Sequence, residues 1–183
     1  MKVFIIGFMG SGKSHVGQRL AQLLDYLYVD TDNLVENTEG VTIAELFDTK
    51  GEAAFRAIES NALKGLSKWD NIIVATGGGA PCFHGNMDFL NNSGITVYLK
   101  TDPELLLERL KSEAEKRPLL RGRSEAELSV FINSKIAQRA VFYEQADIII
   151  HQKSNEQNIP MEILETIMER RQLHIMSQLE THL

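Results

Sequence analysis

Gly7-Phe8-Met9-Gly10-Ser11-Gly12-Lys13-Ser14 decides the fold of this chain. The octet fits G-x-x-x-x-G-K-[ST], follows the apolar run Val3-Phe4-Ile5-Ile6 and precedes a segment with helical spacing. Strand, glycine-rich loop and helix in that order make a phosphate-binding loop. The glycines let the backbone turn tightly, so that successive N–H groups across Gly10, Ser11 and Gly12 can point at phosphate oxygens. The helix that follows presents its positive dipole end to the same anion. Lys13 can reach the β- and γ-phosphates, and the Ser14 hydroxyl can coordinate Mg²⁺. The octet therefore predicts a nucleoside triphosphate site and leaves open where the γ-phosphate goes.

Outward from the loop, Val16, Leu20, Leu23 and Leu24 recur at helical spacing, and Tyr26–Val29 reads as a second strand ending at Asp30-Thr31-Asp32. Residues 33 to about 66 read as helical in pieces, broken near Gly40 and Gly51. A third strand, Ile72–Ala75, runs into Thr76-Gly77-Gly78-Gly79, and Ile95–Leu99 forms a fourth. Asp102 reads as the cap of a helix with Pro103 at its first position and Leu106 and Leu110 on its core face. The polar stretch Glu113–Ala126, with Pro118 and Gly122 inside it, reads as a mobile loop. Then come a helix over Glu127–Tyr143, a fifth strand over Asp147–His151 and a last helix opened by Pro160, with Ile163 and Ile167 facing inward. Strands alternating with helices predict an α/β fold, a parallel sheet covered by helices on both faces. Ligands bind such sheets at the carboxyl ends of the strands. The phosphate loop, the Asp30/Asp32 pair and the glycine triplet all fall there.

The 183 residues, 43% hydrophobic and 24% charged, suit one soluble domain with a full core. A net charge of −6 argues against nonspecific nucleic-acid binding, while an anionic small substrate needs only a local basic pocket. The single cysteine, Cys82, excludes an intramolecular disulfide and fits a reducing compartment. With no apolar stretch of bilayer length and no signal peptide, the expectation is a cytoplasmic enzyme with neither membrane nor nucleic-acid partner.

Asp30 and Asp32 have the same parity on an extended segment, so both can face one side. Beside a phosphate loop, one can hold Mg²⁺ through water while the other meets an acceptor hydroxyl as base or orienter. Arg56 and Glu59 lie three apart on a helix, spacing that favours an ordinary surface pair but also permits an Arg oriented to clamp a carboxylate. Gly77-Gly78-Gly79 can let backbone amides approach a ligand closely. Lys116, Arg117, Arg121 and Arg123 form either a solvated basic loop or a lid that brings positive charge to the transferring phosphoryl group. Arg139 lies on the following helix, and on its sequence alone it could equally be a surface residue.

Together these motifs resemble the shikimate kinases, within the nucleoside-monophosphate-kinase-like group of phosphate-loop enzymes. The resemblance runs from Lys2 to about Ile150. It rests on the octet, Asp-Thr-Asp at 30–32, Phe-Arg-x-x-Glu at 55–59, Gly-Gly-Gly-Ala at 77–80, Arg-Pro-Leu-Leu at 117–120, and Arg139 with Tyr143. It implies a three-layer α/β/α kinase of residues 1–171 with a five-stranded parallel sheet, a substrate-binding region at about 33–66 and a lid at about 111–124; the tail over 172–183 continues at helical spacing and is longer than that core fold needs. It implies that ATP and shikimate give ADP and shikimate 3-phosphate, with Mg²⁺, in chorismate and aromatic amino-acid biosynthesis, and that the enzyme is a monomer. Lys13, Asp32 and Arg117 are then catalytic. Gly10, Ser11, Gly12, Lys13, Ser14, Arg109 and Arg117 meet ATP, Arg109 against adenine, and Ser14 and Asp30 serve the metal. Asp32, Arg56, Gly78, Gly79 and Arg139 bind shikimate, with Glu59 orienting an arginine and Ile43, Phe47 and Phe55 lining the apolar side. The run His151-Gln152-Lys153-Ser154 departs from the Asp-Thr type at the adenine loop, leaving backbone contacts available there.

Two alternatives remain open. One is another small-molecule kinase of the same fold, such as a gluconate or nucleoside-monophosphate kinase. Arg56 and Arg139 with a hydroxyl-facing Asp32 favour a carboxylated polyol instead. The other is a non-catalytic nucleotide-binding regulator, which would be expected to lack Lys13, Asp32 or the arginines.

Overall fold

Alternation along β1 (Lys2–Ile6) sets the layers. Val3 and Ile5 enter one apolar layer, shared with Val16 and Leu20 of α1 (Lys13–Leu24) and Ile163 and Ile167 of α7 (Ile159–Glu180). Phe4 and Ile6 enter the other, with Leu63 of α3 (Ile43–Gly65), Leu90 of α4 (Asn86–Ser93) and Tyr143 of α6 (Glu125–Tyr143). All four strand side chains are fully buried, so β1 reads as an unbroken apolar run. The computed structural model describes residues 1–112 and 120–180.

The other strands are β2 (Leu27–Asp30), β3 (Ile72–Ala75), β4 (Ile95–Thr101) and β5 (Ile148–Gln152). The five form one sheet in the order β2-β3-β1-β4-β5, every pairing parallel. From β1 the chain leaves through α1 to β2 on one side, and from β3 through α4 to β4 on the other. The carboxyl ends of β1 and β3 therefore flank the crevice where such sheets take their ligands. The expected three-layer α/β architecture is the observed one.

Both predicted breaks are present. Helix α2 (Thr31–Glu39) ends on Gly40 at φ 72°, and α3 kinks at Gly51 at φ 78°. Three local expectations need correction. Leu23 is 49% exposed, because the buried stripe of α1 centres on Gly17, Leu20 and Ala21 and leaves Leu23 at its rim. Asp102 stands at the N-cap of α5 (Pro103–Lys111), but its side chain makes no capping bond; its N–H joins the sheet end instead, donating to Gln152 O at 3.0 Å. Helix α6 begins at Glu125, two residues inside the segment read as loop, because Ser124 and Glu127 form a reciprocal capping box.

Half of the segment expected to act as a lid, 113–119 of 111–124, lies outside the described residues, and with it Lys116, Pro118 and Arg117. Lys111 and Glu125 pair across its ends at 2.6 Å, and Leu120 is fully buried with Phe8, Leu106 and Leu110. Among the described residues no helix is long and apolar enough to cross a membrane.

Candidate active site

The phosphate loop turns through Gly10 at φ 80° and Gly12 at φ 86°, a region where a Cβ is strained. Gly12 is the N-cap of α1, so the following amides open toward the crevice. The Lys13 ammonium folds over its own loop and donates to Phe8 O at 3.0 Å. The Ser11 N–H also donates to Phe8 O, at 3.2 Å, and its fully buried Oγ has no hydrogen-bond partner among the described residues.

Ser14 Oγ donates to Asp30 Oδ2 at 2.7 Å, and the Tyr28 hydroxyl donates to the same oxygen at 3.1 Å. A hydroxyl and a carboxylate this close, beside a phosphate loop, suit Mg²⁺, which takes one or two carboxylates and keeps water and substrate phosphate for its other positions. The parity argument for Asp30 and Asp32 does not hold, because the strand ends at Asp30. The Asp30 carboxylate caps α2 by accepting from Asp32 N at 3.0 Å, and Asp32 lies in the first helical turn. Helix geometry still brings the two together: they line one cleft of about 840 Å³ with Lys13, Ser14, Gly78 and Arg109.

Burial raises the Asp32 pKa above the ordinary carboxylate value. The Asp30 charge adds to the rise, and Lys13 and Arg56 pull it back. Glu59 is raised for the same leading reason, against the pull of Arg56. Arg56 and Glu59 are not a surface pair. Arg56 Nη1 donates to Glu59 Oε2 at 2.8 Å, with Glu59 1% and Arg56 9% exposed. The guanidinium lies 5.0 Å from the Phe55 ring, 5.8 Å from Phe47 and 4.6 Å from Phe83. Phe47 and Phe55 pack together at 4.6 Å between centroids, with Ile43 beside them. Phe83 had no distinguishing signal in the sequence.

The glycine triplet joins the two halves of the site. A Cβ on Gly77 would collide with Glu59 Oε1 and Asp32 Oδ1, and one on Gly79 would fall 2.8 Å from Arg56 Nη1. Gly78 packs on the phosphate loop itself, where a Cβ would lie 3.3 Å from Met9 N. Gly79 has φ −93°, so close approach, not a left-handed backbone, requires glycine there. The Gly78 carbonyl accepts from the Tyr143 hydroxyl at 2.5 Å and from Arg139 Nη1 at 3.1 Å. Arg139 also stands over the Phe8 ring at 5.6 Å. Arg56, Gly79 and Arg139 thus gather beyond Gly78, next to the main cleft.

Across the cleft, the Arg109 fork is pinned on every side. Nη1 donates to Gly10 O at 3.1 Å and Gln152 Oε1 at 3.2 Å, and Nη2 donates to Asn155 Oδ1 at 2.7 Å. The 152–158 loop lines this end of the cleft. Gln157 braces it, accepting from Lys153 N at 2.5 Å and Ser154 N at 3.1 Å and donating to His151 O at 3.0 Å. Gln152, Asn155 and Gln157 were invisible as site residues, since isolated amides in a polar loop carry no pattern. Within the basic cluster, Arg123 stacks 4.8 Å over Phe131, on α6.

A nucleotide switch needs only a phosphate loop and a sensor. Beyond Gly78, beside this crevice, stand a buried arginine held by Glu59 and the apolar cluster of Ile43, Phe47 and Phe55. That makes the chain a phosphate-loop kinase with a small-molecule acceptor. The family model for shikimate kinase matches residues 9–171. The shikimate kinase of Bacteroides thetaiotaomicron is 40% identical over 151 residues, 82% of this chain and 86% of that one. That of Parabacteroides distasonis is 43% identical over 147 residues, 80% of this chain and 85% of that one. Among solved structures, the Acinetobacter baumannii shikimate kinase in complex with shikimate superposes with a TM-score of 0.83 at 33% identity, covering 92% of this chain and 93% of that one. The Bacteroides thetaiotaomicron enzyme gives a TM-score of 0.86 at 36% identity, covering 92% and 98%. The chain belongs to the shikimate kinase family.

Proposed function

We infer that this chain transfers the γ-phosphate of ATP to the 3-hydroxyl of shikimate, a step of chorismate and aromatic amino-acid biosynthesis. The observation that carries the reading is the glycine edge. Gly78 packs on the phosphate loop, while Gly77 and Gly79 bear on Asp32, Glu59 and Arg56, so donor and acceptor compartments share one wall. Little covalent chemistry falls to the protein in phosphoryl transfer, and positioning and charge do most of the work. The amides around Gly10, Ser11 and Gly12 cradle the phosphates, and Lys13 moves from Phe8 O onto them. Arg109 offers its pinned plane to adenine. Ser14 and Asp30 would hold Mg²⁺, which would supply charge neutralisation to the phosphates. Arg56, oriented by Glu59, and Arg139 grip the shikimate carboxylate. Gly78 and Gly79 meet the ring through their backbone, and Asp32 receives or orients the 3-hydroxyl. Arg117, outside the described residues, is assigned to the lid over the phosphates.

We propose that the enzyme acts as a monomer. We place the enzyme in the cytoplasm, and take residues 1–171 as the kinase unit, with 33–66 as acceptor region and 172–183 as an extension. The test is the product. With Mg²⁺-ATP and shikimate, phosphorus NMR is expected to show a phosphate ester on the 3-hydroxyl. An ester at another hydroxyl, or free phosphate alone, contradicts the assignment.

A further inference from the structure

Two carboxylates of opposite character hold Arg56. Glu59 lies beneath it with a side chain 2% exposed. Glu52, one helical turn earlier and directly after the Gly51 kink, has a side chain 59% exposed. A single Glu52 oxygen, Oε1, accepts from both Nε at 3.3 Å and Nη2 at 3.1 Å. Adjacent guanidinium N–H groups of this kind form the fork that takes a carboxylate. One side of the clamp is therefore already occupied by a carboxylate of the chain itself.

The charge count agrees. Arg56 already faces the carboxylates of Glu52 and Glu59, and of Asp32 at longer range, before an acceptor arrives, so an acceptor carboxylate adds a further negative charge around it unless one of them withdraws. Glu59 cannot do so, because a buried charge parted from its partner is costly. Glu52 can rotate into water, giving up only a half-exposed ion pair.

We propose that Glu52 is a placeholder for the substrate: it keeps the outer edge of Arg56 paired while the acceptor site is empty, and cedes that edge to the carboxylate of the incoming acceptor. The proposal rests on the reading of Arg56 as the carboxylate clamp. Glu52 is then a positioning residue that holds acceptor affinity down and eases product release.

The test compares the full-length chain with Glu52→Gln and Arg56→Ala in steady-state kinetics, using shikimate and its methyl ester, with each variant's folding checked by thermal melting. Glu52→Gln keeps size and a hydrogen-bond acceptor but removes the charge. It is expected to lower the KM for shikimate about two- to five-fold, the worth of a partly exposed ion pair, and to leave that for the ester in place. An unchanged or higher shikimate KM overturns the proposal. So does an equal fall for the ester, which would mean that the effect does not act on the carboxylate. Arg56→Ala separates the two readings. If it raises the shikimate KM and Glu52→Gln does not lower it, the clamp stands and the placeholder is overturned. If Arg56→Ala leaves the shikimate KM unchanged, the clamp fails and the placeholder with it.

Discussion

Asp32→Asn is expected to lower turnover by roughly 10²–10⁴-fold while ATP still binds, and at the same time to raise the melting temperature. The loss of rate follows from the assigned role, because the amide can neither take the hydroxyl proton nor accept its hydrogen bond through an ionised oxygen. The gain in stability follows from burial, which raises the Asp32 pKa, with the Asp30 charge adding to it. A raised carboxylate stabilises the fold only while protonated. Below the ordinary value of about 4 the wild type therefore loses nothing to this group. As pH climbs from there through the raised value, it must hold an ionised carboxylate in a buried site, and stability falls. The difference between variant and wild type should accordingly be small at pH 4 and open toward pH 8. Melting curves at both ends and a kcat measurement check this. Near-normal kcat would remove Asp32 from its role, and a variant no more stable at pH 8 would contradict the burial argument.

Glu59→Ala is expected to do the reverse, costing stability and acceptor binding together. Removing one partner of a buried pair leaves the other charge uncompensated, which typically costs 3–5 kcal/mol. About 3 kcal/mol is expected here, because Arg56 keeps Glu52. With its anchor gone, the guanidinium is free to shift from its place above Gly79, and the shikimate KM should rise roughly 10–100-fold. Urea unfolding and kinetics measure the two effects. A stability loss of only about 1 kcal/mol or less is what an exposed pair would give, and would contradict the buried-anchor account.

The donor half of the site was legible because its chemistry is local. Eight consecutive residues specify a turn, a dipole and a lysine, and the glycines at 40 and 51 mark helix breaks that need no partner to be read. The acceptor half depends on contacts across the fold. Arg56 and Glu59 have the same i, i+3 spacing whether solvated or buried, and only the packing of Gly77 and Gly79 against them tells the cases apart. Arg139 likewise gains its meaning from the Gly78 carbonyl, 61 residues away in sequence. The parity argument for Asp30 and Asp32 failed because an aspartate at a strand end is also a good helix cap, and the cap prevailed. Ser124 with Glu127 was readable as a capping box but was overshadowed by the polar composition around it. The amides of Gln152 and Gln157 act by bracing backbone and side chains that come together only once the loop has folded.

The most direct test of the central claim is coupled ADP release with Mg²⁺-ATP and, in parallel, shikimate, gluconate, AMP and no acceptor. The site described here should turn over strongly with shikimate and show no more than background ATP hydrolysis with the others. Turnover on gluconate or AMP in place of shikimate, or ATP binding with no shikimate-dependent ADP release, would leave the phosphate loop intact and contradict the acceptor pocket built from Asp32, Arg56 and Arg139.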